Sequence, residues 1–371
     1  MGSRDERELR AVQAVLDAGV ANGTFPGASA ALGWLGGPAT RAAVSGRLTP
    51  GGAQVEPNTP YDLASLTKSF VACSALRLAE QGLDLDTAVA DLVPQARGCF
   101  AADQPLSALM SHRAGLTPWG GFYRDIPGAP GSSEARDWLL REAASRPDPE
   151  PPNPPGAVYS DLGYILLGEA LARAAGVSLD QLVAREVLEP LGLSPIAYAS
   201  ALPVEERERL GREAAPTEHC EWRGRLLKGE VHDENCSAFG GVSGHAGMFG
   251  PAAPVLAFGL ELLRVLRGES SWLPAERLRW ALSPREGGGY VAGFDTKSRQ
   301  GSSAGALFSE QAFGHLGFTG TSLWCDPERE LCAVLLSNRV HPTRENIQIR
   351  ALRPRFHDAC VEDFKRSMSR D

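Results

Sequence analysis

Apolar positions change their period along the chain, and the changes outline its architecture. Charged and apolar residues alternate at helical spacing over residues 5–18, which predicts an amphipathic N-terminal helix. Pro26-Gly27 opens an apolar run over 28–35, Gly36-Gly37-Pro38 turns it, and 39–46 return. A β-hairpin is predicted, with a turn longer than the tightest two-residue kind. A Pro- and Gly-rich loop covers 49–60. Ser65 to Gln81 then has helical spacing, with Phe70, Cys73, Leu76, Leu78 and Ala79 in one stripe and Gly82 ending it. From 83 to about 285 the pattern predicts mostly helices joined by loops, clearest over 106–112, 133–144, 162–175, 179–188 and 255–266. Residues 147–155 carry proline at six of nine positions and cannot be helical, so they read as a rigid loop delivering Tyr159. Strands return at 313–323 and 331–338, separated by a polar turn. Residues 343–359 read as a helix weakened by Pro354. Strand-forming ends around a helical middle give an α+β class. Residues 1–82 and 286–371 form one antiparallel sheet domain, 83–285 an inserted, mainly helical lobe, and the active site lies in the cleft between them.

Composition narrows the function classes. The 371 residues are 43% hydrophobic and 22% charged, enough for a large core and two lobes. A formal net charge of −8 with mixed signs excludes a nucleic-acid footprint. The run Glu205 to Arg209 reads as a solvated helix face. No apolar run reaches membrane-spanning length. The charged N-terminus has no apolar signal segment behind it, so a cytoplasmic location is expected, unless a leader has been removed. Seven cysteines, odd in number and widely spread, argue against a secreted disulfide scaffold. Cys325 and Cys332, facing across a hairpin, read as reduced core thiols. The pattern leaves the oligomeric state open.

Chemistry concentrates at three places. Ser65 and Lys68 are three apart at the start of a helix, on one side of it. Serine is a poor nucleophile at neutral pH, and a lysine can take its proton only if burial or a nearby cation lowers its pKa. Alone, such a pair occurs by chance in many proteins and reads as a helix cap followed by a surface lysine. Tyr159-Ser160-Asp161 stands where the proline-rich loop enters a helix. Its polar residues could cap that helix, and the Tyr159 hydroxyl could relay a serine proton. His315-Leu316-Gly317-Phe318-Thr319-Gly320-Thr321 lies on a terminal strand, where the glycines leave backbone accessible to a ligand. One N–H there, with that of Ser65, would make an oxyanion hole. The bland reading is a softened edge strand with His315 exposed. His219, Cys220, His232, Asp233 and Cys236 fit no strong zinc spacing, so no metal and no cofactor are expected. Residues 232–235 and His245 read instead as shaping access to the cleft.

These three elements together resemble the serine beta-lactamase and penicillin-binding-protein superfamily, particularly its class C-like branch of esterases, D-aminopeptidases and DD-peptidases. Ser65-Leu66-Thr67-Lys68 resembles the family's S-x-x-K, Tyr159-Ser160-Asp161 its Y-x-N, and His315-Leu316-Gly317 its K-T-G in an H-x-G variant. The similarity spans about residues 7–340. It implies a beta-lactamase/transpeptidase-like fold and acyl transfer. Ser65 would be the nucleophile. Lys68 and Tyr159 would move its proton, with the effective base open between them. The N–H groups of Ser65 and Phe318 would hold the oxyanion, and Asp161, His315 and Gly317 would orient substrate. Two departures matter. Asp161 replaces an Asn and favours a charged Lys68, while His315 replaces a Lys and attracts a substrate carboxylate less reliably. The first opposes a general-base role for Lys68 unless Tyr159 compensates; the second favours an esterase or amidase acting on less acidic substrates, with a small ester or related acyl substrate leading. D-aminopeptidase, DD-carboxypeptidase or beta-lactamase activity is the alternative within chemistry, and a non-catalytic ligand-binding protein the alternative outside it. The expected partner is a small ester, amide or lactam.

Overall fold

The computed structural model describes residues 9–37, 40–152 and 156–369. Its centre is a six-stranded antiparallel sheet. The strands are β1 (Gly27–Trp34), β2 (Arg41–Gly46), β3 (Asp295–Thr296), β4 (Phe313–Leu316), β5 (Ser322–Asp326) and β6 (Leu331–Ser337), in the order β2-β1-β6-β5-β4-β3. The two ends of the chain therefore meet at β1 and β6, where Ala28 faces Ser337 and Trp34 faces Leu331. Its helices include α1 (Arg10–Ala21), α2 (Thr67–Glu80), α3 (Asp161–Ala175), α4 (Ala252–Arg267) and α5 (Ile349–Met368).

Side-chain alternation explains the layers. Ala28, Ala30 and Leu32 of β1, with Ala333 and Leu335 of β6, pack against Val12 and Leu16 of α1 and Leu352 and Phe356 of α5. Ala31, Val334 and Leu336 point the other way, into a larger core with Val255, Leu256 and Phe258 of α4. α4 can approach this closely because of Gly259. A Cβ there would stand 2.2 Å from Cys332 Sγ. Helix α4 thus belongs to the sheet layer, although the sequence placed it in the inserted lobe. Its apolar face needs a sheet to cover it. Cys325 and Cys332 face each other in the β5–β6 register as free thiols, Sγ to Sγ 3.5 Å.

Four expectations shift. The stretch 313–323 is not one strand but the β4–β5 hairpin, with Ser322 opposite Leu316. Gly320, at φ +108°, turns the chain between them, a conformation that L side chains rarely adopt. Helix α2 begins at Thr67, after a 3-10 turn over Ala64–Leu66, and it is buried all round rather than along one stripe. Its small residues Ser69, Ala72, Cys73, Ser74 and Ala75 let neighbours close on every side. Helix α5 runs past Pro354 to Met368, held by its face on the sheet and by Asp363, whose carboxylate accepts the N–H groups of Ala11 and Val12 at the start of α1. The predicted starts at residues 5 and 39 lie outside the described residues, as do 153–155 of the proline-rich loop.

Among the described residues, no single helix is long and apolar enough to cross a membrane. The one bent pair that passes by length and composition, Asp161–Ala175 with Leu179–Leu188, carries core residues along both parts.

Candidate active site

The segment before α2 is pinned by a buried carboxylate. Asp62 pairs with Phe249 in a small three-stranded sheet, which ties this segment to the helical region. Its Oδ1 accepts the N–H of Ala64 at 2.8 Å, and its Oδ2 the N–H of His232 at 2.7 Å. Ala64 is thereby held at φ +49°, a strained position for a residue with a Cβ, directly before Ser65. Ser65 lies in the 3-10 turn, so its N–H is among those a helix start leaves without a helical acceptor.

Lys68, one turn on, is fully buried. Its Nζ lies 2.9 Å from Ser65 Oγ, 2.7 Å from Asp161 Oδ1 and 3.2 Å from the His245 carbonyl. Burial pushes its ammonium below the ordinary lysine value, although the Asp161 carboxylate pulls the other way. The bland reading of Lys68 as a surface lysine therefore fails.

Tyr159 donates its hydroxyl to Ser65 Oγ at 2.8 Å. His112 holds it from both sides: the Val158 N–H donates to the His112 carbonyl at 2.9 Å and the Ser160 N–H to its Nδ1 at 3.0 Å. The His112 ring lies 4.7 Å from that of Tyr159, centroid to centroid. Burial, with Lys68 and His315 nearby, keeps His112 neutral. Burial also raises the Tyr159 phenol well above its ordinary value, so it stays protonated. Ser160 does cap α3, accepting the Gly163 N–H at 3.3 Å, and Asp161 heads that helix. The capping and the chemical readings hold together.

The β4–β5 turn is stitched to the strand end beside Ser65. Thr319 Oγ1 donates to the Asp62 carbonyl at 2.8 Å and Thr321 Oγ1 to the Leu63 carbonyl at 3.1 Å. Gly317 is required at this contact, since a Cβ there would stand 1.9 Å from Thr321 Oγ1 and 2.8 Å from the Leu63 oxygen. Among the described residues the Phe318 N–H has no acceptor. The Phe318 ring lies between His232, 5.6 Å away and stacked, and the Arg339 guanidinium at 4.3 Å.

A cavity of about 630 Å³ opens over Ser65, lined by Tyr159, Asp161, Gly317 and Phe318 among others. His315 does not line it. It is buried behind the wall, 6.1 Å from the Tyr159 ring, and its Nδ1–H donates to the Leu316 carbonyl at 2.8 Å. Among the described residues its Nε2 has no partner. Burial and Lys68 push it down to about 3, so it is neutral across the physiological range. Strand β4 turns its side chain inward, which removes His315 from direct substrate orientation and overturns the exposed alternative too. His232, Asp233, Glu234 and His245 line the cavity as the sequence suggested, while Asn235 braces the Gly120 carbonyl beside Trp119. Among the described residues no group of three or more His, Cys, Asp and Glu could hold a metal ion. Instead His232 pairs with Glu218 and His245 with Asp233. Sequence reasoning missed Asp62 and His112. Asp62 stands three residues before the nucleophile and could have been weighed as its brace. His112 carries no local signal.

Fold and constellation together define a serine hydrolase working through an acyl-enzyme. The chain belongs to the Beta-lactamase family, which it matches over residues 12–354. It is 29% identical over 325 residues to the N-acetylmuramyl-L-alanine amidase of Bacillus subtilis (strain 168), covering 78% of this chain and 70% of that protein. In fold it resembles EstCE1, a hydrolase with promiscuous acyltransferase activity, with a TM-score of 0.73 and 22% identity over 96% of this chain and 100% of that one. It also resembles the D-amino acid amidase from Ochrobactrum anthropi SV3, at 0.71 and 21% over 97% of this chain and 99% of that one.

Proposed function

We propose that the enzyme hydrolyses small carboxylic esters, with Ser65 as nucleophile and Lys68 as the base that activates it. The observation that carries this reading is the position of Ser65 Oγ, 2.9 Å from Lys68 Nζ and 2.8 Å from Tyr159 OH. The two neighbours are tuned in opposite directions. Burial moves Lys68 toward its neutral, proton-accepting form and holds Tyr159 in its proton-donating form. Lys68 takes the hydroxyl proton as Oγ attacks the carbonyl carbon. The N–H groups of Ser65 and Phe318 receive the oxyanion. The bond to the leaving group then breaks, and Tyr159 passes it a proton that Lys68 restores. Water attacks the acyl-enzyme by the same route in reverse, releasing the acid and regenerating Ser65.

Two features support an ester before an amide. His315 places no charge on β4. An ester leaving group also needs less protonation than an amine. A D-configured amide is the second reading. Asp161 favours it, because its carboxylate lines the cavity and can accept an N–H from such a substrate. A cytoplasmic location is part of the same proposal, supported by seven free cysteines.

The test is a panel of 4-nitrophenyl butyrate, a D-alanyl amide and nitrocefin. The ester should give the highest kcat/KM, and Ser65→Ala should lower it by about 10⁴-fold or more with the fold intact. Turnover retained in pure Ser65→Ala overturns the nucleophile. A higher kcat/KM for the amide overturns the substrate class alone.

A further inference from the structure

To act as a base, Lys68 must be neutral and must also turn its lone pair toward Ser65. A neutral amine has two N–H groups and one lone pair. The Lys68 Nζ has three polar neighbours: Ser65 Oγ at 2.9 Å, Asp161 Oδ1 at 2.7 Å and the His245 carbonyl at 3.2 Å. A carboxylate and a carbonyl can only accept. When they take the two N–H groups, the lone pair is left for Ser65 Oγ. Asp161 alone fixes one direction and leaves the amine free to turn about it. The His245 carbonyl is the second fixed point, so its placement sets the aim of the base.

The loop that carries this carbonyl is not stiff by composition, since residues 240–247 hold four glycines. His245 is held by its ring instead. Its Nε2 lies 2.8 Å from Asp233 Oδ1 and its Nδ1 2.9 Å from Ser243 Oγ. With Nε2–H donated to Asp233, Nδ1 accepts the Ser243 hydroxyl, and both ring nitrogens are used. The residue is only 1% exposed, so the ring cannot swing out to solvent.

The residues on either side are fixed too. Asp233 Oδ1 also accepts the Cys236 N–H at 2.7 Å, at the start of the short helix Glu234–Ala238. From that helix the Cys236 thiol donates to the Ala246 carbonyl at 3.2 Å. Gly244 packs on α3 so closely that a Cβ there would stand 2.0 Å from the Tyr164 oxygen. The Ser243 carbonyl accepts the Tyr198 hydroxyl at 3.0 Å. A buried polar network rigidifies its surroundings when every member is satisfied. This one ends at the amine. Asp233 reaches Lys68 through its charge as well: burial lowers the Lys68 ammonium, and Asp161 and then Asp233 hold it up.

We propose that Ser243, His245 and Asp233 are positioning residues for acylation. Their hydrogen-bonded chain fixes the His245 carbonyl as the second acceptor of the Lys68 amine, so that the lone pair faces Ser65 Oγ. They act through Lys68 and not through contact with the substrate. This rests on the reading of Lys68 as the base and deepens it.

The test is a double-mutant cycle on acylation. Single-turnover release of 4-nitrophenol from 4-nitrophenyl butyrate, with enzyme in excess, gives substrate affinity and the acylation rate constant separately. Asp233→Ala should slow acylation by about 10²-fold at unchanged affinity, the scale of loss when a reacting group is misplaced. Asp233→Asn keeps Oδ1 as an acceptor for His245 and Cys236 and should recover most of that loss. Ser243→Ala frees one end of the ring and should slow acylation by about tenfold. It carries the test if thermal melts show that Asp233→Ala does not fold. In a Lys68→Met background neither alanine variant should cost anything further, because no lone pair remains to be aimed. Unchanged acylation in the folded alanine variants overturns the proposal. So does a loss confined to affinity, or one as large in the Lys68→Met background as in the native enzyme. Those three results leave the base assignment standing. Native acylation in Lys68→Met alone would overturn that assignment, and this proposal with it.

Discussion

The floor and the wall of the cavity handle charge in opposite ways. On the floor the ionisable groups have close polar partners: Lys68 meets Asp161 at 2.7 Å, Asp233 meets His245 at 2.8 Å, and Asp62 accepts two backbone N–H groups. On the wall, among the described residues, Arg339 and Arg353 donate only to carbonyls and Arg350 has no side-chain acceptor. In the proposed reaction the floor moves a proton between Ser65, Lys68 and Tyr159, and close polar partners keep these groups in place. The wall holds guanidinium groups with no carboxylate at ion-pair distance among the described residues.

The largest expected effect comes from breaking the floor. Lys68→Met should cut kcat/KM for 4-nitrophenyl butyrate by about 10³-fold or more, within the range of general-base catalysis. Tyr159→Phe keeps the ring beside His112 and removes the relay, at a cost of about 10²-fold. If Tyr159→Phe proved the more damaging, the phenol and not the amine would be the base.

Asp161→Asn sharpens the comparison further. The carboxylate holds the Lys68 pKa up against burial, so its removal lets that pKa fall. The acid limb of the pH profile of kcat/KM should move to lower pH. A limb that stays in place or rises would show that Asp161 does not act on Lys68.

The smallest effect is on stability and belongs behind the wall. His357 on α5 is pushed down to about 3 by burial, with Arg353 adding to it, and His315 to about 3 by burial and Lys68. Both are neutral in the fold, whereas histidine in the unfolded chain takes up a proton near 6.5. Between about 6.5 and about 3 the unfolded state binds more protons, so stability falls as pH falls, by about 1.4 kcal/mol per pH unit for each group. Urea unfolding across that window should show the slope, and His357→Gln should reduce it. An unchanged slope would mean that His357 is already charged in the fold.

The two regions also differed in how legible they were from sequence. Ser65, Lys68, Tyr159 and Asp161 were readable because two short motifs, each at a helix start, fix their own local geometry. The meeting of the chain ends in one sheet followed from where strand-like alternation begins and stops. The β4–β5 turn was misread because Gly317 and Gly320 mark close approach and tight turning with the same residue. His315 was misjudged because strand alternation gives the face of a side chain and not its depth: it lies on the side of Tyr159 and Lys68 but is buried behind the cavity wall. The wall was not legible at all. Its arginines come from an irregular segment and a helix start, and an arginine there looks like any surface cation until its lack of a carboxylate is seen in three dimensions.

The most direct test of the central claim is mass spectrometry of the enzyme quenched during turnover of a 4-nitrophenyl ester. The account predicts one acyl group per chain, mapped to the peptide containing Ser65 and absent from Ser65→Ala. Hydrolysis that continues with no adduct at Ser65, or an adduct on another residue that persists in Ser65→Ala, would contradict it.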